Sequence, residues 1–263
     1  MSRGAWIAIR WIAAIALVGA LGFGAYEAVE APASQLFGKT VVDGPSDEKV
    51  VALTFDDGPN PPYTDRILDV LAAEHVRATF FLVGKAVVAY PGTAKREVRE
   101  GDALGNHTWA HEHLIVMTRT QVRQSLQKTD DAIFRATGTR THIMRPPFGS
   151  RDWFVLAVAR KMGYTPVMWS VPLVGDWEYP PADVIAQRVL GNVRDGSIIV
   201  LHDGDRGLVC AQQHLAAHVC DRSADIDATR TIVQTLKARG YRFVTIPELM
   251  ALRAMHTPAP GVE

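Results

Sequence analysis

Cysteine is scarce in this chain. There are two in 263 residues, Cys210 and Cys220, too few for a disulfide scaffold. Charge of either sign is not in excess, with 28 basic and 28 acidic residues, so no global field points to nucleic acid. No repeat with a period of 20–50 residues is present, which excludes solenoids and propellers. There is no low-complexity tract. Also missing is the glutamate of a zinc-protease helix. The chain reads "HTWAH" at His107–His111, where such a helix would need a glutamate after the first histidine.

One long uncharged apolar run does occur, "WIAAIALVGALGFGAY" at Trp11–Tyr26, with Arg3 and Arg10 before it. It lies between the length of a signal-peptide core and that of a short membrane span. "APA" at Ala31–Ala33 resembles a small-residue cleavage site. Residues 1–26 therefore read as a signal peptide or a membrane anchor. In both cases the arginines stay inside, and the rest of the chain is exported to the periplasm, the medium or the outer membrane face. Residues 27–48, with Pro32, Gly44 and Pro45, read as a linker.

From Val50 onward, short apolar runs alternate with amphipathic ones. The strand-like runs are Val50–Phe55, Ala78–Val83, Leu104–Asn106, His142–Arg145, Thr165–Val171, Ser197–Leu201 and Arg242–Ile246. Between them lie helical patterns such as Thr120–Thr137, with apolar Val122, Leu126, Ile133 and Phe134 and a closing Gly138, and Asp225–Arg239, closed by Gly240. Seven strands separated by helices predict a parallel α/β sheet, either doubly wound or closed into a barrel. The polar residues favour closure. Asp56-Asp57, "NHTWAH" at Asn106–His111, "RPPFG" at Arg145–Gly149, "GDW" at Gly175–Trp177 and His202-Asp203 each follow a strand. In a barrel those C-terminal ends share one face, where barrel active sites lie.

The pair Asp56-Asp57 places two like charges side by side, which is costly unless a metal, a cation or a shared proton divides their roles. His107 and His111 are four apart, and one helical turn would present both on one face. Two histidines and one carboxylate make a three-ligand site with an open position, as a catalytic zinc needs. One acid of the pair can then bind metal while the other takes a proton from water.

In order along the chain, "TFDDGP", "HTWAH", "RPPFG", "DW" and "VLHD" resemble the five motifs of the polysaccharide deacetylases with a NodB homology domain. The resemblance covers about Val50–Leu249, within a domain spanning 49–252 and followed by a tail at 253–263. It implies a distorted seven-stranded (β/α) barrel and a divalent metal, usually Zn2+. The reaction it implies is hydrolysis of acetyl groups from N-acetylated sugars of a polysaccharide or oligosaccharide. By resemblance, Asp57, His107 and His111 are the metal ligands, Asp56 is the base and Arg145 orients it. The Phe148 N–H helps hold the oxyanion, Trp177 walls the acetyl pocket, and His202 is the acid, tuned by Asp176. Val200 stands where the fifth motif often has leucine, and Pro172-Leu173 stand where the fourth often has an earlier acid.

"GLVCAQQHLAAHVCDRSAD" at Gly207–Asp225 reads as an insertion. Cys210, His214, His218 and Cys220 are compatible with a second zinc site. An exported chain with two cysteines favours a Cys210–Cys220 disulfide instead. Two other functional classes share these residues. One is an O-acetyl esterase or non-sugar amidase on the same scaffold. The other is an inactive membrane-anchored glycan-binding module, which would need neither base nor acid.

Overall fold

The computed structural model describes residues 3–172, 174–206 and 220–256. The first element is a helix, α1 (Arg3–Glu30). Among the described residues, Ile9–Tyr26 is the one helical stretch long and apolar enough to cross a membrane, judged by length and composition, and none of it is buried.

The remaining elements alternate strand and helix, with two helices in succession between the second and third strands. They are β1 (Val50–Asp56), α2 (Tyr63–Ala73), β2 (Thr79–Leu82), α3 (Gly84–Ala89), α4 (Pro91–Arg99), β3 (Ala103–Asn106), α5 (Arg119–Thr137) and β4 (Ile143–Met144). After these come α6 (Trp153–Lys161), β5 (Thr165–Pro166), α7 (Ala182–Asn192), β6 (Ile198–His202), α8 (Ser223–Ala238), β7 (Arg242–Phe243) and α9 (Ile246–His256). Every strand pairing is parallel, in the order β5-β4-β3-β2-β1-β6, and β7 pairs with the first two residues of β1. This is the seven-stranded α/β barrel that the alternation and the motifs predict.

The distortion lies between β5 and β6. The run Thr165–Val171 keeps a ladder for only two residues, because the chain beyond changes partners. Met168 donates to Val41, and Ser170 and Val171 both donate to the Ile198 carbonyl. Val41 bridges Val167, and Asp43 bridges Ser197. Part of the 27–48 stretch thus lies in the seam of the barrel. β4 and β7 likewise cover two residues each of the longer runs read from sequence.

Packing follows the period of two. On β1, Val51, Leu53 and Phe55 face outward to Ile67, Leu71 and Ile232 of the helices. Val50 and Ala52 face inward with Phe81, Ile198 and Val167. Both β1 faces are buried, as expected of a strand covered on both sides. α5 begins with a capping box, Thr118 and Gln121, and ends at Gly138 with φ 78°. Its Val122, Leu126 and Ile133 are buried, but Phe134 is exposed beneath Arg140.

Candidate active site

The strand period explains Asp56, and its failure explains Asp57. Continuing the inward parity of Val50 and Ala52, Thr54 and Asp56 point into the barrel. Regular alternation would send Asp57 outward. Asp57 instead has φ +78°, a left-handed turn that brings its carboxylate to the same cavity. The next residue must be glycine, since a Cβ at Gly58 would overlap the Asp203 carboxylate. Reciprocally, a Cβ at Gly204 would overlap the Asp57 backbone. Asp203 and Gly204 both donate to the Asp56 carbonyl, at 3.1 and 3.3 Å. The two strand-end loops are therefore locked together.

His107 and His111 meet Asp57, but not through a helical turn. Residues 107–113 form a turn with Thr108 at φ +68° and His111 at φ +55°. Buried Asn106 holds it: its Oδ1 accepts from Thr108 N–H at 2.9 Å and its Nδ2 donates to the Leu126 carbonyl at 2.8 Å. The Thr108 carbonyl in turn accepts from Gly84. His107 and His111 Nε2 lie 3.4 and 3.2 Å from Asp57 Oδ1. His107 Nδ1 donates to the Arg145 carbonyl at 2.8 Å, which fixes the tautomer with Nε2 free to ligate.

These three ligand atoms lie within 4.8 Å of one another. Asp57 Oδ1 is buried and has no hydrogen-bond partner. Burial pushes the His111 imidazole down to about 4 despite nearby Asp57, so it is neutral at working pH, as a ligand must be. Burial also favours a neutral Asp57, but the imidazoles of His111 and His107 outweigh it and hold the carboxyl well below its usual range. An orphaned carboxylate oxygen facing two imidazole nitrogens fits a divalent cation, and the N2O donor set suits zinc among others. The Asp57 Oδ2 accepts from Arg206 N–H at 2.7 Å.

Asp56 Oδ1 pairs with Arg145 Nη1 at 2.6 Å, and both are almost wholly buried. The guanidinium also donates to Thr54 Oγ1 and to the Val167 and Met168 carbonyls. It lies 4.1 Å from the Phe81 ring centre. Burial lowers the Arg145 pKa, and Asp56 offsets that. The arginine is thus a fixed internal cation rather than a surface one.

His202, at the end of β6, meets Asp176 from the turn after β5. Nδ1 to Oδ2 is 2.9 Å, and Asp176 also accepts from the His202 backbone N–H at 2.7 Å. Burial disfavours the imidazolium, but Asp176 wins and pushes the pKa up to about 9. Behind Asp176 lie residues that the sequence reading did not single out. Arg222 donates to the Gly204 and Asp176 carbonyls and faces Asp225 at 3.8 Å. Burial and Asp176 push the Asp225 carboxyl well above its usual range. Tyr179, under Arg222, donates to Asp205. The only sequence signal was the i, i+3 spacing of Arg222 and Asp225 at the edge of the insertion.

Asp56, Asp57, His107, His111, Phe148, Trp177, Val200 and His202 all line one cavity of about 520 Å³, together with Tyr26 of α1. Phe148, at φ +60°, stacks on His113 at 3.9 Å and sits edge-on to His111. Trp177 is half exposed and meets the His202 ring edge-on at 5.9 Å. Cys210, His214 and His218, and Leu173 of the fourth motif, lie outside the described residues. Cys220 is buried, and no described cysteine is free.

Comparison with known proteins agrees with this geometry. Residues 43–167 match the family model of polysaccharide deacetylases. The peptidoglycan-N-acetylglucosamine deacetylase PgdA of Listeria monocytogenes is 37% identical over 201 residues, 76% of this chain. The chain spans only 39% of that relative's length. A chitooligosaccharide deacetylase of Rhizobium leguminosarum bv. trifolii is 35% identical over 208 residues, covering 77% of this chain and 93% of that one. The crystal structure of the Bc1960 peptidoglycan N-acetylglucosamine deacetylase superposes with a TM-score of 0.71 at 35% identity, over 80% of this chain and 92% of that one. This chain belongs to the polysaccharide deacetylase family.

Proposed function

We propose that this protein is a divalent-cation-dependent deacetylase that hydrolyses the N-acetyl groups of sugars in an exported or cell-envelope glycan. The observation that carries the reading is one cavity lined by an Asp-His-His triangle, an arginine-held carboxylate and a carboxylate-held histidine. A glycan-binding module would need the first of these and neither of the others. The relatives named above act on peptidoglycan N-acetylglucosamine and on chitooligosaccharides, and an N-acetyl sugar is common to both.

Asp57, His107 and His111 would hold the cation, for which we assign zinc. When bound, it supplies Lewis acidity that polarises the acetyl carbonyl and acidifies a water. Asp56 would take a proton from the attacking water as that water's oxygen bonds to the acetyl carbon. Arg145 keeps Asp56 aimed into the cavity. The Phe148 N–H donates to the developing oxyanion, an interaction worth roughly a hundredfold or more in rate. Trp177 and Val200 wall the acetyl methyl. As the C–N bond breaks, His202 protonates the nitrogen, since an amine leaves poorly without a proton. Asp176 keeps that imidazole charged until then. The products are acetate and a free amino sugar.

The same reading places the enzyme outside the cytoplasm, held by α1 as an anchor, with an apolar stretch from Ile9 to Tyr26.

A panel of acetylated glycans assayed for acetate release tests the function. N-acetylated peptidoglycan and chitooligosaccharides should yield one free amine per acetate. Acetate released only from O-acetylated xylan would overturn N-deacetylation in favour of an esterase.

A further inference from the structure

The anchor helix does not leave the catalytic domain at a remote point. Tyr26, at the outer end of its apolar stretch, lines the catalytic cavity. The chain just beyond α1 is fastened by Arg151, which is almost fully buried and donates to the carbonyls of Ala31 (2.7 Å), Pro32 (3.2 Å) and Ser34 (2.7 Å). Further on, Arg160 donates to the Lys39 carbonyl. The outgoing chain therefore runs along α6.

The first turn of α6, two residues beyond Arg151, carries an exposed aromatic pair. Trp153 and Phe154 stack at 3.7 Å, with 55% and 38% of their surface exposed. The Arg119 guanidinium lies 4.4 Å from the Phe154 ring centre. The turn before α5 meets this end of α6 around an apolar cleft of about 320 Å³ between Ile115, Met117, Phe154 and Val158. Val116 beside it is 82% exposed, and Leu36, on the segment leaving the anchor, is 70% exposed.

A water-facing surface gains nothing from a stacked Trp-Phe pair, exposed aliphatics and an open apolar cleft. A bilayer interface does, because amphipathic aromatics settle at headgroup level and an adjacent arginine meets lipid phosphates. The 18-residue apolar stretch of α1 rises ~27 Å, close to the ~30 Å of a hydrocarbon core. With α1 spanning the bilayer, Tyr26 reaches the outer headgroups, and the cavity rim it lines lies at the same level.

We propose that Trp153, Phe154, Val116 and Leu36 form a bilayer-contact surface, continuous with the anchor, that seats the catalytic cavity on the outer leaflet, so that the enzyme acts on acetylated glycans tethered to the membrane by a lipid. This rests on the anchor and deacetylase readings above. Soluble glycan far from the membrane would meet a cavity whose rim faces headgroups. A sugar held by a lipid is presented there at high local concentration.

The full chain reconstituted in phosphatidylglycerol-containing nanodiscs tests it with two readouts. In the first, a chitooligosaccharide is offered free or coupled to a phospholipid headgroup in the same discs. Wild-type kcat/KM should be at least tenfold higher for the tethered form. Trp153→Ser/Phe154→Ser should erase most of that preference and leave the rate on free saccharide unchanged. The second readout is tryptophan quenching by lipids brominated near the headgroup, in which Trp153→Phe should lose a quenched component present in wild type. Equal rates on both substrates overturn the substrate inference while leaving deacetylation intact. Identical quenching in wild type and Trp153→Phe overturns the bilayer-contact surface. Acetate from neither substrate, with the quenching difference preserved, overturns the deacetylase reading and the substrate inference but upholds the surface.

Discussion

The two proton-handling pairs of the cavity are built differently. Asp56–Arg145 joins the end of β1 to the residue just after β4, and its guanidinium is held by one hydroxyl, two core carbonyls and the Phe81 ring. Asp176–His202 joins the end of β6 to an irregular turn, and its support is Arg222 and Asp225, at the C-terminal edge of the insertion. The first pair is part of the barrel's core. The second depends on loops. Base and acid therefore differ in what their loss should do: disturbing the base pair should unfold or cripple the molecule, while disturbing the acid pair should retune it.

The largest effect is expected from Arg145→Ala. It leaves Asp56 as a buried charge without its partner, which costs about 3–5 kcal/mol, and it removes the orientation of the proposed base. Denaturant titration should show that loss. A change under 1 kcal/mol would mean that the pair is not a core element and would erase the contrast.

Asp176→Asn should act on rate rather than on fold. A carboxylate beside an imidazole favours the charged form, so its removal lowers the His202 pKa from about 9 toward its ordinary 6.5. The acid then loses its proton at lower pH. The alkaline limb of the kcat profile should move toward acid by about 1–3 pH units, while the acidic limb stays in place. An unmoved alkaline limb would break the assignment of His202 as the acid tuned by Asp176.

Asp225→Asn should do least. Burial and Asp176 favour its neutral form, so an amide of the same shape changes no charge. We expect the alkaline limb within a few tenths of a unit of wild type. A shift as large as that of Asp176→Asn would show instead that Asp225 carries the charge behind His202.

The contrast also explains what the sequence disclosed. All seven strands were legible, as was the position of four of the five motifs at or just after a strand's C-terminal end, because parallel β/α units carry a strong local pattern and barrel chemistry collects at those ends. The Gly175–Trp177 motif lies in a turn well beyond the end of β5 at Pro166. Strand ends were overestimated where the extended chain leaves one partner for another, as after Pro166. The His107–His111 spacing was legible, but its helical interpretation failed. Asn106 and the left-handed residues Thr108 and His111 make the turn, and nothing in an i, i+4 spacing distinguishes that from a helix. Arg145 as partner of Asp56 came from the motif resemblance. Arg222, Asp225, the Arg206 N–H and Tyr26 were not singled out, because each reaches the site by tertiary contact and the segments carry at most the weak i, i+3 spacing of Arg222 and Asp225.

The central claim is that adjacent carboxylates divide ligand from base, with the left-handed turn at Asp57 giving them different partners. Purified Asp56→Asn and Asp57→Asn proteins, assayed side by side for zinc content and turnover, test it most directly. Asp56→Asn should retain wild-type zinc and lose about a hundredfold or more in kcat, whereas Asp57→Asn should lose the zinc itself. Equal loss of zinc in both variants, or retention in both, would contradict the division of roles.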